Sequence, residues 1–139
     1  LRVAVAESCT GGLISSMITS VAGSSAVLDR SFITYSNEAK IDLLDVKRET
    51  LKKYGAVSEA TAREMALGAL AHSKADLALA VTGIAGPSGG SRLKPVGTIW
   101  CAVASRRVVV TKLLKLGFHR ELNQKYSAYA VMNMAVAGD

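Results

Sequence analysis

Histidine is nearly missing from this chain, which has two, His72 and His119, in 139 residues. A serine nucleophile ordinarily draws on a histidine oriented by a carboxylate, so that arrangement has few positions to be built from. His72 falls late in a helical pattern of small apolar residues, where a surface or packing role suits it. His119 falls at a strand-to-helix junction, as a cap or a phosphate neighbour, and nothing ties it to a nucleophile. Cysteine is equally scarce. Cys9 and Cys101 make neither a metal-binding spacing nor a disulfide framework, and with two histidines they complete no metal set. The expectation is therefore no metal, no cofactor and a reducing cytosol. Aromatic residues are 5% of the chain, too few for a stacking platform interleaved with positive charge. No apolar run approaches the roughly 18 residues of a membrane span, so no membrane partner is expected. The opening Leu1-Arg2-Val3-Ala4-Val5-Ala6 is too short for the apolar core of a signal peptide and its cleavage site, and reads as structure.

What the chain does have is apolar bulk: half its residues are hydrophobic and a fifth are charged. That composition and length predict one globular domain over residues 1–139. The net charge of +6, from 17 basic and 11 acidic residues, suits an anionic ligand. Nucleic acid is the lesser reading, because the basic residues are scattered over 40–53, 92–94 and 106–125.

Val3-Ala4-Val5-Ala6 reads as a strand that runs into Glu7-Ser8-Cys9-Thr10-Gly11-Gly12 and then a helix from Leu13. Ile14, Met17, Ile18 and Val21 line one face of that helix and Gly23 closes it. Residues 32–35 have strand composition, and Ser36 or Asn37 caps a following helix with Lys40 in its first or second turn. A short helix over 48–54 ends at Gly55. Ser58 caps a longer one whose core stripe is Ala62, Met65, Ala66, Ala69 and Leu70. Residues 76–82 read as a strand buried on both faces, followed by the glycine-rich stretch 83–91 and a loop reaching Pro95. Strands over 97–104 and 107–116, separated by Ser105 and Arg106, predict an antiparallel hairpin. A last helix over 121–137 shows Leu122, Tyr126, Tyr129 and Ala130 on one face. Strands alternating with helices, closed by a hairpin, predict an α/β fold with a mixed sheet covered on both sides. Ligands in such sheets collect beyond the carboxyl ends of the strands, where the loops holding Ser8, Tyr35 and Thr82 all begin.

The candidate chemistry sits in those loops. Ser8 stands before a helix whose first amides have no internal partner and so favour an anion or oxyanion; the same position also suits a plain helix cap. Lysine is the base left to consider. Lys40 serves only if burial or positive neighbours depress its pKa from about 10.4 toward about 8, and otherwise it is an exposed helix residue. Tyr35 stands beside it, as a helper or as an ordinary core tyrosine. Cys9 shares the helix entrance and ranks behind Ser8 as nucleophile. The Gly83–Gly90 stretch offers backbone N–H groups to a phosphate, although it is neither GxGxxG nor a P-loop.

Taken in order, Ala6-Glu7-Ser8-Cys9-Thr10-Gly11-Gly12, Thr34-Tyr35-Ser36-Asn37-Glu38-Ala39-Lys40, Gly55-Ala56-Val57-Ser58, Thr82-Gly83-Ile84-Ala85-Gly86-Pro87 and Lys94-Pro95-Val96-Gly97-Thr98 resemble the CinA carboxyl-terminal domain family. Its characterised members are bacterial nicotinamide-nucleotide amidohydrolases. The resemblance implies a three-layer α/β/α sandwich around a mixed, mostly parallel sheet of about five strands. It implies metal-free hydrolysis of the carboxamide of nicotinamide mononucleotide to nicotinate mononucleotide and ammonia. Ser8 falls on the family's nucleophile, Lys40 on its base and Tyr35 on the tyrosine that assists them. Amides near Thr10 and Gly11 are then expected to hold the oxyanion. Gly12, Asn37 and the Thr82, Gly83, Ile84, Ala85 and Gly86 loop, with Gly23, Ser24 and Ser25, are expected to bind substrate. Where the family tends to read Gly-Asp-Arg before the last helix, this chain reads Gly117-Phe118-His119-Arg120, which makes Arg120 a candidate phosphate contact. By the same analogy a homodimer is expected, in a stand-alone version without a pyrophosphatase-like domain and without the helix that usually precedes the first strand. The alternative is a module that binds a phosphorylated nucleotide, or a competence and recombination partner, without turnover.

Overall fold

A computed structural model describes residues 1–137. The elements are β1 (Val3–Glu7), α1 (Leu13–Thr19), a 3-10 turn (Ser24–Ala26), β2 (Leu28–Ile33), α2 (Asn37–Leu44), α3 (Arg48–Tyr54), α4 (Glu59–Ala71), β3 (Leu77–Gly83), β4 (Thr98–Ala104), β5 (Val109–Lys115) and α5 (Arg120–Ala137). The strands form one sheet in the order β2-β1-β3-β4-β5. β1 pairs in parallel with β2 and β3, while β4 runs antiparallel to β3 and β5. Four strands thus point one way and β4 alone opposes them, which is the mixed, mostly parallel sheet expected.

Side chains alternate across a strand, and here the alternation sorts by size. Ala4, Ala6, Ala78, Ala80, Ala102 and Ala104 face the α4 layer, where they meet Ala62, Met65, Ala66 and Ala69. Val5, Leu79, Val81, Cys101 and Val103 face the other layer with Ile14, Ala128 and Val131. Small residues on both sides of the first interface bring α4 close to the sheet, and larger ones fill the second. The result is the α/β/α sandwich, with α2 and α4 on one face and α1 and α5 on the other.

Several boundaries differ from the sequence reading. β2 begins at Leu28 and ends at Ile33, so Thr34 and Tyr35 lie beyond it; Asp29 and Arg30 hid its first half, as charged residues do on an edge strand. α1 stops at Thr19, leaving Val21 exposed, and Gly23 opens the 3-10 turn instead of closing the helix. The hairpin loop is longer than two residues: Ser105 N–H donates to the Val108 carbonyl at 2.9 Å. On α5 the buried face is Asn123, Ser127, Ala128 and Val131, whereas Tyr126 and Tyr129 are exposed. Apolarity misled there because Asn123 is buried for its hydrogen bonds, donating to the carbonyls of Ala85 and Phe118, both at 2.9 Å. The remaining caps stand where expected, with Ser36 accepting from Ala39 N–H and Ser58 from Thr61 N–H.

Candidate active site

β1 delivers Ser8 past the carboxyl edge of the sheet, where its N–H still donates to the Val81 carbonyl of β3 at 3.1 Å. The chain then turns, closed by Gly11 N–H on the Ser8 carbonyl at 3.1 Å. Gly11 and Gly12 follow at φ 59° and 109°, a left-handed pair that residues with a Cβ adopt only with strain. Glu7, fully buried, anchors this turn. One carboxylate oxygen accepts from Thr10 Oγ1 at 2.6 Å, Gly12 N–H at 3.1 Å and Ile14 N–H at 2.9 Å. The other accepts from Ser15 N–H at 2.9 Å and Ser15 Oγ at 2.6 Å.

This overturns one expectation. The amino end of α1 is not open to a ligand, because every amide from Gly11 to Ser15 already has an acceptor, three of them on Glu7. The amides without one among the described residues are those of Cys9 and Thr10, just ahead of the helix. Gly11, expected to share the oxyanion with Thr10, uses its N–H inside the turn instead.

Lys40 arrives from the neighbouring strand. α2 begins directly after the β2 end, and helical Cα–Cβ bonds tilt toward the helix amino terminus, which aims the lysine back over its own capping turn. Its Nζ lies 3.0 Å from Ser8 Oγ, 2.8 Å from the Thr34 carbonyl and 3.5 Å from the Tyr35 carbonyl. The residue is 1% exposed, and burial pushes its pKa down to about 8. A carbonyl only accepts. The two carbonyls therefore take two amine N–H groups and leave the remaining direction, the lone pair of a neutral amine, for the Ser8 hydroxyl.

Cys9 is a poor competitor. Burial pushes its thiol up to about 12, so it is no thiolate near neutral pH, and the thiolate is the nucleophilic form. Tyr35 is 63% exposed, and its hydroxyl accepts from Arg120 Nη2 at 3.1 Å instead of meeting Ser8 or Lys40. What it gives the lysine is its main-chain carbonyl. Arg120 also donates to the Gly86 carbonyl at 2.6 Å, and Thr82 Oγ1 donates to the Ala56 carbonyl at 2.8 Å. These contacts tie the Tyr35 loop, the glycine-rich loop and the Ala56 turn together around a cavity of about 320 Å³.

Ser8, Cys9, Tyr35, Lys40, Ala56, Val57, Thr82, Gly83, Ile84, Ala85, Gly86, Ser88, Gly89 and Arg120 line that cavity. Thr10, Gly11, Gly12 and Asn37 are not among its lining residues. Gly23, Ser24 and Ser25 stand farther off, where the chain returns from α1 to the amino end of β2 and Val27 takes the N–H of Val3; that is the opposite edge of the sheet. The sequence reading missed the Cys9 amide, Ser88, Gly89 and the anchoring role of Glu7. The signal for Glu7 was a carboxylate closing an otherwise apolar strand just ahead of a helix. His72 pairs with Asp45 on the surface at 2.6 Å, and His119 caps α5, its ring nitrogen accepting from Leu122 N–H at 3.4 Å.

Fold and site together define an α/β/α sandwich that seats a serine–lysine pair in a cavity at the carboxyl edge of its parallel strands. The chain belongs to the CinA C-terminal domain family, whose model matches residues 1–137. It is 56% identical over 105 residues to the nicotinamide-nucleotide amidohydrolase PncC of Escherichia coli K12, a match covering 76% of this chain and 64% of that protein. It is 50% identical over 134 residues to a putative competence-damage inducible protein of Caldicellulosiruptor bescii, covering 96% of this chain and 33% of that one. The chain thus spans about a third to two thirds of these curated relatives. Among solved structures, a competence/damage inducible protein from Agrobacterium tumefaciens superposes with a TM-score of 0.97 at 49% identity, over 99% of this chain and 84% of that one.

Proposed function

We propose that the protein hydrolyses the carboxamide of nicotinamide mononucleotide through an acyl-enzyme on Ser8, with Lys40 as the base. The observation that carries this reading is the buried lysine amine 3.0 Å from Ser8 Oγ with two of its directions fixed by carbonyls. With a pKa of about 8, about a tenth of Lys40 is neutral at pH 7, against well under a thousandth for an ordinary lysine. Ser8 Oγ bonds to the amide carbon, its proton passes to Lys40 Nζ, and the carbonyl electron pair moves onto oxygen. Collapse breaks the C–N bond, and the leaving nitrogen takes the proton from Lys40 and departs as ammonia. Water then adds to the acyl carbon, giving its proton to Lys40. The acyl carbon–Oγ bond then breaks, Ser8 Oγ takes the proton back from Lys40, and nicotinate mononucleotide leaves.

The cavity suits such a substrate. Its charged lining side chains are Lys40 and Arg120, with no carboxylate. The N–H groups of Ala85, Gly86, Ser88 and Gly89, all cavity-lining residues, have no acceptor among the described residues, as a phosphate cradle requires. The amidohydrolase named among the relatives supports the choice of nucleotide. The cysteines are free thiols and buried, and the proposal places the enzyme in the cytoplasm, as a homodimer. Coupled ammonia detection, with nicotinate mononucleotide identified as the product, tests the activity. kcat/KM should rise with pH through a midpoint near 8, the value burial gives Lys40, and level off above it. No ammonia from the nucleotide, or a limb centred near 10, would defeat the reading.

A further inference from the structure

Two main-chain N–H groups in the Ser8 turn, those of Cys9 and Thr10, have no acceptor among the described residues, and each belongs to a peptide whose carbonyl is held. The Ser8 carbonyl is gripped from within the turn by Gly11 N–H at 3.1 Å. The Cys9 carbonyl is gripped from another element: Gln124 Nε2 on α5 donates to it at 2.9 Å, across 115 residues of sequence. That is the one hydrogen bond the Gln124 side chain makes among the described residues.

We infer that Gln124 is a positioning residue for the oxyanion donors, holding the Cys9–Thr10 peptide so that Thr10 N–H stays on the side of the Ser8 hydroxyl. A trans peptide is planar, with its C=O and N–H pointing in opposite directions, so a grip on the Cys9 oxygen sets the direction of Thr10 N–H. In a turn opened by serine, the amide two residues on lies on the side of the serine oxygen, which is why serine turns form there at all. An oxygen on a carbon newly bonded to Ser8 Oγ falls in that same region, and donors preset for it act without reorganising during the reaction. Freed from Gln124, the Cys9 carbonyl turns toward water, and Thr10 N–H turns with it. The same end of α5 supplies Asn123 to the Ala85 carbonyl and Arg120 to the Gly86 carbonyl. One helix end therefore sets both the nucleophile turn and the glycine-rich loop.

The inference rests on Ser8 acylation as proposed above, and the test separates it from the choice of substrate. The probe is p-nitrophenyl nicotinate. Ser8 Oγ bonds to its acyl carbon, Ser8 gives its proton to Lys40, and p-nitrophenolate departs with the bonding pair, read as a burst of colour. Gln124→Met removes the donor, and Gln124→Glu sets an acceptor against the Cys9 carbonyl. In both, the acylation rate should fall about 10²-fold. Affinity for nicotinate mononucleotide should stay within about threefold and the melting temperature within about 2 °C. An unchanged burst rate in both variants overturns the inference. So does a fall matched by equal losses of nucleotide affinity and melting temperature, or the absence of any burst from the unmodified protein. A burst that depends on Gln124 in a protein inert toward nicotinamide mononucleotide would sink the proposed substrate and keep this role.

Discussion

Lys40→Met is expected to lose ammonia release by about 10⁴-fold, and Ser8→Ala by a similar factor, because each removes half of a unit that works only together. For the same reason the double variant should be no worse than either alone; losses that multiplied would show two independent contributions and break the dyad. Lys40→Arg is no rescue, since a guanidinium is never deprotonated at working pH. The lysine also leaves a mark on stability, and its sign is fixed by linkage. The folded pKa of about 8 lies below the ordinary 10.5, so between those values the unfolded chain binds more protons than the folded one. Wild-type stability therefore rises with pH across that window, by about 3 kcal/mol from this group, and below pH 8 the full penalty is present. Lys40→Met lacks that dependence, while every other group titrates alike in both proteins. Urea melts should accordingly show the variant losing about 3 kcal/mol relative to wild type between pH 7 and pH 10.5. A gap that stays constant with pH would mean the amine is not shifted, and the base assignment would fall.

The site was legible where chemistry and local pattern coincide. Ser8 at a strand-to-helix turn and Lys40 just past a strand end are visible as candidates from order alone, but their meeting at 3.0 Å depends on β1 and β2 lying side by side, which no local signal fixes. What choosing the lysine required was its burial, and a lysine four residues into a polar helix reads as exposed. Tyr35 shows the converse. Its place beside Lys40 was right, yet the useful group is its carbonyl, because the side chain follows the Arg120 guanidinium outward. Gly23, Ser24 and Ser25, expected at the substrate from the family resemblance, stand at the opposite edge of the sheet, since a right-handed crossover returns the chain to the start of the next strand. Asn123 and Gln124 escaped notice because their partners are carbonyls 38 and 115 residues away. Main-chain acceptors carry no sequence signature.

Glu7→Gln should destabilise the fold by about 3–5 kcal/mol, a large share of the roughly 5–15 kcal/mol that holds a domain together. The change preserves volume and removes one acceptor. Both carboxylate oxygens are committed: one to Thr10, Gly12 and Ile14, the other to Ser15 through its N–H and hydroxyl. Whichever oxygen becomes an NH₂ group, it confronts at least one main-chain N–H of α1 that cannot turn away. Glu7 is fully buried, so no water replaces the lost acceptor and the stranded donor costs its desolvation. Ser15→Ala provides the control. It deletes one hydroxyl, which donates to Glu7 and meets Ser31 Oγ at 2.6 Å, leaves the carboxylate its amides, and should cost about 1–2 kcal/mol. Urea denaturation of the two variants at one pH compares them directly. If Glu7→Gln cost no more than Ser15→Ala, the Ser8 turn would be held by its glycines and its neighbours in the sheet, and the carboxylate beneath it would be incidental.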